Sequence, residues 1–438
     1  MRQKTILFLL IVLSLGFGKL NFAQEKSFSI SSYSHYVMDS LTSDVFAGRG
    51  YIDNGMNRTA DFIANEFQKM GLKKVGNSYF QEFTMPINVI ENAELTLNGK
   101  KLNYGIDFIV HPGSKSQTHQ TKEIYTFSPT DFEVALSSET ALIEFIERDM
   151  RLQNNKHLVF PPHTFEVDSL RIYYKNWPFF YRPDENENRS IFFFTEEKLT
   201  SFLSQEPKEI SKFYIQSNHY NKNLNLDNYL IESRFYPNFK TKNVIAQIEG
   251  ENKDSLIVLT AHFDHLGKVG TTIFYGASDN ASGTAFLLEL AKYYSQNTPK
   301  YTTIFIAFAA EEAGLVGSEY FAEHPLIELS RIKFLLNFDI MGAGEEGIQI
   351  VNSSIFTKEF ELLKQINASK NYTPQIKKRG EACNSDHCPF YQKGVPSFFI
   401  YTLGGPGYYH DPLDDFSTLN FHGFTSLQAL VIDFLEVL

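Results

Sequence analysis

The sequence predicts an α/β protein, a three-layer sandwich around a mostly parallel or mixed central sheet, carrying a strand-rich insertion. Three observations carry that expectation. From Asn243 onward, the runs at 256–261, 303–309, 334–338 and 397–401 are continuously apolar and of strand length. Such runs fit strands buried on both faces. A helix-length segment, 281–294, lies between the first two and follows Asp279-Asn280, whose side chains suit a helix N-cap. Finally, residues 90–238 change character, with short aromatic and β-branched runs (170–174, 191–194) set among polar stretches such as 184–189.

Taken in order, the chain opens on Arg2 and Lys4, then an apolar run over 6–15 and a small residue at Ala23. That pattern reads as an export signal over residues 1–23, cleaved near Ala23 or Gln24. The run is shorter than the ~20 residues that span a bilayer core, so the mature chain is expected to be exported (periplasmic or secreted) and off the membrane. Residues 24–89 read as the start of the main domain. Ala60, Ile63, Ala64 and Phe67 recur at helical spacing and Gly71 stops the run, while Gly48-Arg49-Gly50 and Asn54-Gly55 mark turns. Arg49 is expected to close a salt bridge within the fold. Residues 90–238 form the inserted module or cap, and 239–438 the main part of the catalytic domain.

At 438 residues, 43% hydrophobic and 21% charged, the chain is an ordinary globular one by composition. Its net charge of −11 argues against a nucleic-acid partner. The two cysteines, Cys383 and Cys388, are too few for a thiolate metal site and are either a short-loop disulfide or two buried thiols.

The apolar strands end in residues able to bind metal. The first runs into His262-Phe263-Asp264-His265, the second into Glu311-Glu312, and the third into Asp339. The fourth is followed by His410-Asp411, and Asp279 sits in the turn that opens the helix. Charges left uncompensated at such buried ends would be costly, and metal removes that cost. Two histidines and three carboxylates without thiolate suit zinc better than manganese or cobalt. Five donors exceed one open tetrahedral site and fit two metals sharing a carboxylate. Asp264 is placed to orient His262, and Asp414 to orient His410. On an extended segment Glu311 and Glu312 would point apart, which leaves open which of them binds metal.

These segments resemble metallopeptidase family 28, the co-catalytic zinc aminopeptidases related to bacterial leucyl aminopeptidase. The resemblance runs through 262–267, 276–283, 310–318, 337–342, 385–390 and 409–412, with 48–50 and 71–72 similar to the family's start. It implies two zinc ions, with His262 and Asp339 on one, Glu312 and His410 on the other, and Asp279 bridging. It further implies hydrolysis of N-terminal residues of peptides by a metal-activated hydroxide, with Glu311 as general base. Asp386 and His387 line the site in that family, and His387 is either an oxyanion donor or a packed loop residue. His265 reads as structural. Ser278 stands where many relatives carry Asp. The alternatives are a glutaminyl-cyclase-like single-zinc acyltransferase, or an inactive binding domain on the same fold.

Overall fold

A computed structural model describes residues 30–135, 137–145, 156–163, 189–208 and 211–438. The expected export signal and the run at 170–174 lie outside the described residues.

Helix α1 (Ser32–Leu41) is capped by the Ser31 hydroxyl, which accepts from the Ser34 N–H. Helix α2 (Gly55–Lys69) buries Met56, Ala60, Ile63, Ala64 and Phe67 on one stripe, the 3.6-residue spacing read from the sequence. Gly71 ends it at φ +77°, a left-handed conformation glycine adopts without a Cβ clash.

Two long strands follow, β1 (Phe80–Leu97) and, after the excursion, β7 (Leu226–Ile248), paired antiparallel along most of their lengths. Between them come β2 (Phe108–Val110), β3 (Ile124–Thr126), β4 (His157–Phe160), β5 (Ser190–Thr195) and β6 (Ser211–Gln216). These make a separate five-stranded sheet, parallel from β3 through β6. The changes of composition at 90 and 238 therefore fall inside β1 and β7, which run on from the main sheet to carry the inserted sheet. One half of the ribbon packs in the main core (Phe83, Met85, Val244) and the other in the inserted module's core (Leu95, Tyr229, Ile231).

The main sheet is completed by β8 (Asn252–His262), β9 (Tyr301–Phe308), β10 (Ile332–Phe338), β11 (Ile348–Val351), β12 (Ile376–Lys378) and β13 (Ser397–Thr402). Its order is β12-β11-β13-β10-β8-β9-β7-β1, with β13, β10, β8 and β9 mutually parallel. Alternate residues of each central strand face opposite layers, as the pleat requires. Ile257, Leu259 and Ala261 pack in one core with α1, α2, α3 (Gly283–Gln296), α5 (Thr357–Lys370) and α7 (Phe424–Val437). Leu256, Val258 and Ile306 meet Phe321 of α4 (Val316–Glu323) and Phe390 of α6 (His387–Gln392) on the other face. Helices thus cover both faces of a mixed sheet. The apolar runs lack alternation because neither face of these strands meets water.

The parallel strands all end at one edge, and the expected metal-binding residues come together there.

Candidate metal centre

The centre is built on the turn between β8 and α3. After β8, the backbone passes His262 and Asp264 and reaches Gly276 at φ +55°. A Cβ at Gly276 would lie 2.4 Å from the His265 ring, so only glycine fits there. The following Asn280 closes the turn rather than projecting into the centre. Its Oδ1 accepts from the N–H of Gly283, at the start of α3, and from that of Ile340. Asp279 is left with its carboxylate at the strand edge.

Asp279 presents one oxygen to each histidine. Oδ1 lies 3.3 Å from His262 Nε2, and Oδ2 lies 3.3 Å from His410 Nε2. Asp339 Oδ1 is 3.4 Å from His262 Nε2, and Glu312 Oε2 is 2.9 Å from His410 Nε2. Zinc–ligand bonds of 2.0–2.1 Å in a tetrahedron set neighbouring ligand atoms about 3.3 Å apart. Two half-sites of that spacing share Asp279. Among the described residues, the groups close enough to hold a metal are His262, Glu311 and Asp339, and His262, Asp279 and Glu312.

The remaining atoms of these side chains are committed elsewhere, which fixes the orientation of each free lone pair. His262 Nδ1 is 3.2 Å from the Asp264 carbonyl, and His410 Nδ1 is 2.7 Å from the Ser201 carbonyl. A carbonyl only accepts, so Nδ1 carries the hydrogen in both rings and Nε2 is the donor toward a metal. His265 Nδ1 meets Glu312 Oε1 at 2.7 Å, turning Oε2 toward His410. The Ser385 hydroxyl donates to Asp339 Oδ2 at 2.9 Å, and Asn337 donates to Ser385 in turn. Asp339 Oδ1 is buried and accepts no hydrogen bond among the described residues, as expected of an atom reserved for a cation. The nitrogen and oxygen donors, their spacing and this orphaned oxygen all fit zinc.

Several expectations are corrected by these partners. Asp264 does not orient His262 through its carboxylate, which lies 3.8 Å from Nδ1 and instead accepts from the N–H groups of Glu311 and Glu312. Asp414 does not reach His410; it accepts from the N–H groups of Ser278 and Asp279 and so holds the Asp279 turn. Ser278 keeps that contact through its backbone. Arg49 closes no salt bridge among the described residues. Fully buried, it donates to the carbonyls of Leu41, Phe263, Tyr275, Gly276 and Asp279. Glu311 and Glu312 are not on extended backbone: Ala310 has φ +60°, and the Glu311 carbonyl accepts from Gly314 and Leu315 in a tight turn. Both carboxylates consequently reach the centre.

His265, read as structural, touches a metal-ligand candidate directly. His387 points its Nε2 at the Ala382 carbonyl and packs its ring against Phe399, the packed-loop arrangement. Asp386 is fully buried, and burial pushes its carboxyl up to about 7. Cys383 and Cys388 are joined as a disulfide across the loop that carries Ser385 and Asp386. Tyr409 stacks on the His410 ring at 3.8 Å.

The electrostatics are those of a cation site. Burial and the neighbouring carboxylates of Asp386, Glu312 and Asp339 push Glu311 well above the usual carboxylate range. Burial disfavours a charged His410, yet Glu312 and Asp279 outweigh it and raise the ring to about 11. The protons held by such rings are what an incoming metal displaces.

Sequence reasoning missed Ser201 and the roles of Ser385 and His265. Ser385 had a local signal, its place in the Ser-Asp-His segment. Ser201 had none, because a backbone carbonyl carries no residue identity.

Residues 243–435 match the sequence pattern of Peptidase family M28. Aminopeptidase YwaD of Bacillus subtilis is 28% identical over 196 residues, 42% of either chain. The chain spans less than half the length of the curated relatives it matches, from 18% to 42% of each. Two solved structures share the fold over nearly the whole chain. A Peptidase M28 precursor from Shewanella amazonensis superposes with a TM-score of 0.67 at 17% identity, covering 93% of both chains. A zinc aminopeptidase from Bacillus subtilis gives 0.62 at 18% identity, covering 92% of this chain and 93% of its own. Residues 243–435, which hold every donor of the centre, are thus similar in sequence to peptidase family M28.

Proposed function

We propose that the protein is a zinc-dependent exopeptidase, an aminopeptidase that removes N-terminal residues from peptides with two zinc ions per chain. The observation that carries this reading is the symmetric placement of Asp279, one oxygen 3.3 Å from each histidine Nε2. A single-metal acyltransferase would need only one of the two half-sites. The aminopeptidase named among the relatives supports the amino-terminal direction of cleavage.

In this reading His262 and Asp339 would hold one ion and Glu312 and His410 the other, with Asp279 available to both. Bound zinc would supply Lewis acidity to the scissile carbonyl and lower the pKa of water. Glu311 takes the proton from the attacking water and returns it to the leaving amine, as its elevated proton affinity suits it to do. Asp264 fixes the turn that aims Glu311, and Asp414 fixes the turn that aims Asp279. The N-terminal pattern and the Cys383–Cys388 disulfide support export to an oxidising compartment.

The test is hydrolysis of aminoacyl-p-nitroanilides by the purified chain. Activity should vanish with chelator and return with Zn²⁺. Activity that survives complete metal removal would rule the reading out.

A further inference from the structure

The inserted module reaches the centre through residues 196–206, which follow β5. Ser201 pairs with His410 in both directions: its carbonyl accepts from Nδ1 at 2.7 Å, and its N–H donates to the His410 carbonyl at 3.4 Å. Lys198 Nζ donates to the carbonyls of Gly407 and Tyr409 at 2.8 and 2.9 Å and lies 3.7 Å from the Asp411 carboxylate. Gln205 donates to the Ala313 carbonyl at 2.7 Å, beside the Glu311-Glu312 turn.

The loop these residues grip takes an unusual backbone path. Gly404, Gly405 and Gly407 all have positive φ, and His410 itself sits at φ +54°. A non-glycine residue held there is strained, so surrounding contacts must impose the conformation. The gripping segment is in turn anchored. Leu199 is buried in the inserted module's core, Leu203 packs against both cores, and the Asn88 N–H on β1 donates to the Ser204 carbonyl.

We propose that Lys198, with the Ser201 backbone, positions His410, so that the inserted module completes the Glu312–His410 metal position. The inference rests on the two-zinc reading and assigns Lys198 as a positioning residue that acts through His410. Among the described residues no hydrogen bond or ion pair joins the His262–Asp339 position to this segment, so that position should be independent of it.

Calorimetric titration of Zn²⁺ into the metal-free, full-length protein tests this. Lys198→Ala should weaken one of the two zinc-binding steps about tenfold, the scale for losing a partner that orients a ligand, and leave the other unchanged. Lys198→Arg, which can still donate to both carbonyls, should restore the affected step. The melting temperature of the metal-free Lys198→Ala protein should match that of the parent, since Lys198 is 41% exposed. Unchanged affinity at both steps, or equal loss at both, would overturn the inference. Failure of the parent protein to take up a second zinc would instead remove the functional reading on which it rests.

Discussion

Glu311 is the most exposed carboxylate of the centre, at 14% against 9% or less for Asp279, Glu312 and Asp339. That difference leaves Glu311 the more open to water, as the proposed base requires. Glu311→Gln should therefore keep its zinc content while kcat falls on the order of 10²–10⁴-fold, the usual contribution of a general base. Undiminished kcat would remove Glu311 from the proton transfer. Protonation gives a second check on the metal-free protein. Asp264 and Asp386 are each pushed up to about 7, chiefly by burial, and Asp414 to about 6. A carboxyl whose folded pKa lies above its unfolded value stabilises fully below the unfolded value and loses that contribution as pH rises through the folded one. Glu312, held near 2 by His410 and His265 despite burial, has already made its contribution above pH 5. The melting temperature of the metal-free protein should thus fall between pH 5 and 7.5. With saturating zinc the trend should reverse, because zinc competes with protons for His262 and His410. A rising trend in the metal-free protein would contradict these assignments. The donors themselves were legible in the sequence because each follows a strand end or opens a helix. Their partners were less so. Asp264 and Asp414 were recognised as helpers but attach to backbone N–H groups, which sequence spacing does not reveal.

The elements that position the centre depend on a few buried joints. Arg49 ties α1, the end of β8 and the Asp279 turn together through five carbonyls. Desolvation lowers its pKa only to about 10, so it remains charged at neutral pH. Arg49→Met would strand those carbonyls, and unfolding by urea should show a loss of about 3–5 kcal/mol. A loss under about 1 kcal/mol would mean that the joint is not structural. The central strands and α2 were legible because continuous apolar runs and i, i+3, i+4 spacing report burial directly. The Glu311-Glu312 turn was not, because a left-handed alanine at 310 has no sequence signature. Tertiary contacts, chiefly the Asp264 carboxylate on both backbone N–H groups, impose it.

At the scale of the molecule, the inserted module and the main sheet share two continuous strands rather than a linker. Composition revealed that residues 90–238 differ but not how they attach, since β1 and β7 are uninterrupted across both limits. It also could not reveal that Ser201, 209 residues from His410, closes the centre. The proposed two-metal centre depends on one arrangement: five donors from the strand edge divided into two half-sites by Asp279. Crystals grown with zinc and measured at the zinc absorption edge test it most directly. Two anomalous peaks about 3.5–4 Å apart are expected, on either side of the Asp279 carboxylate. A single peak at full zinc saturation would contradict it.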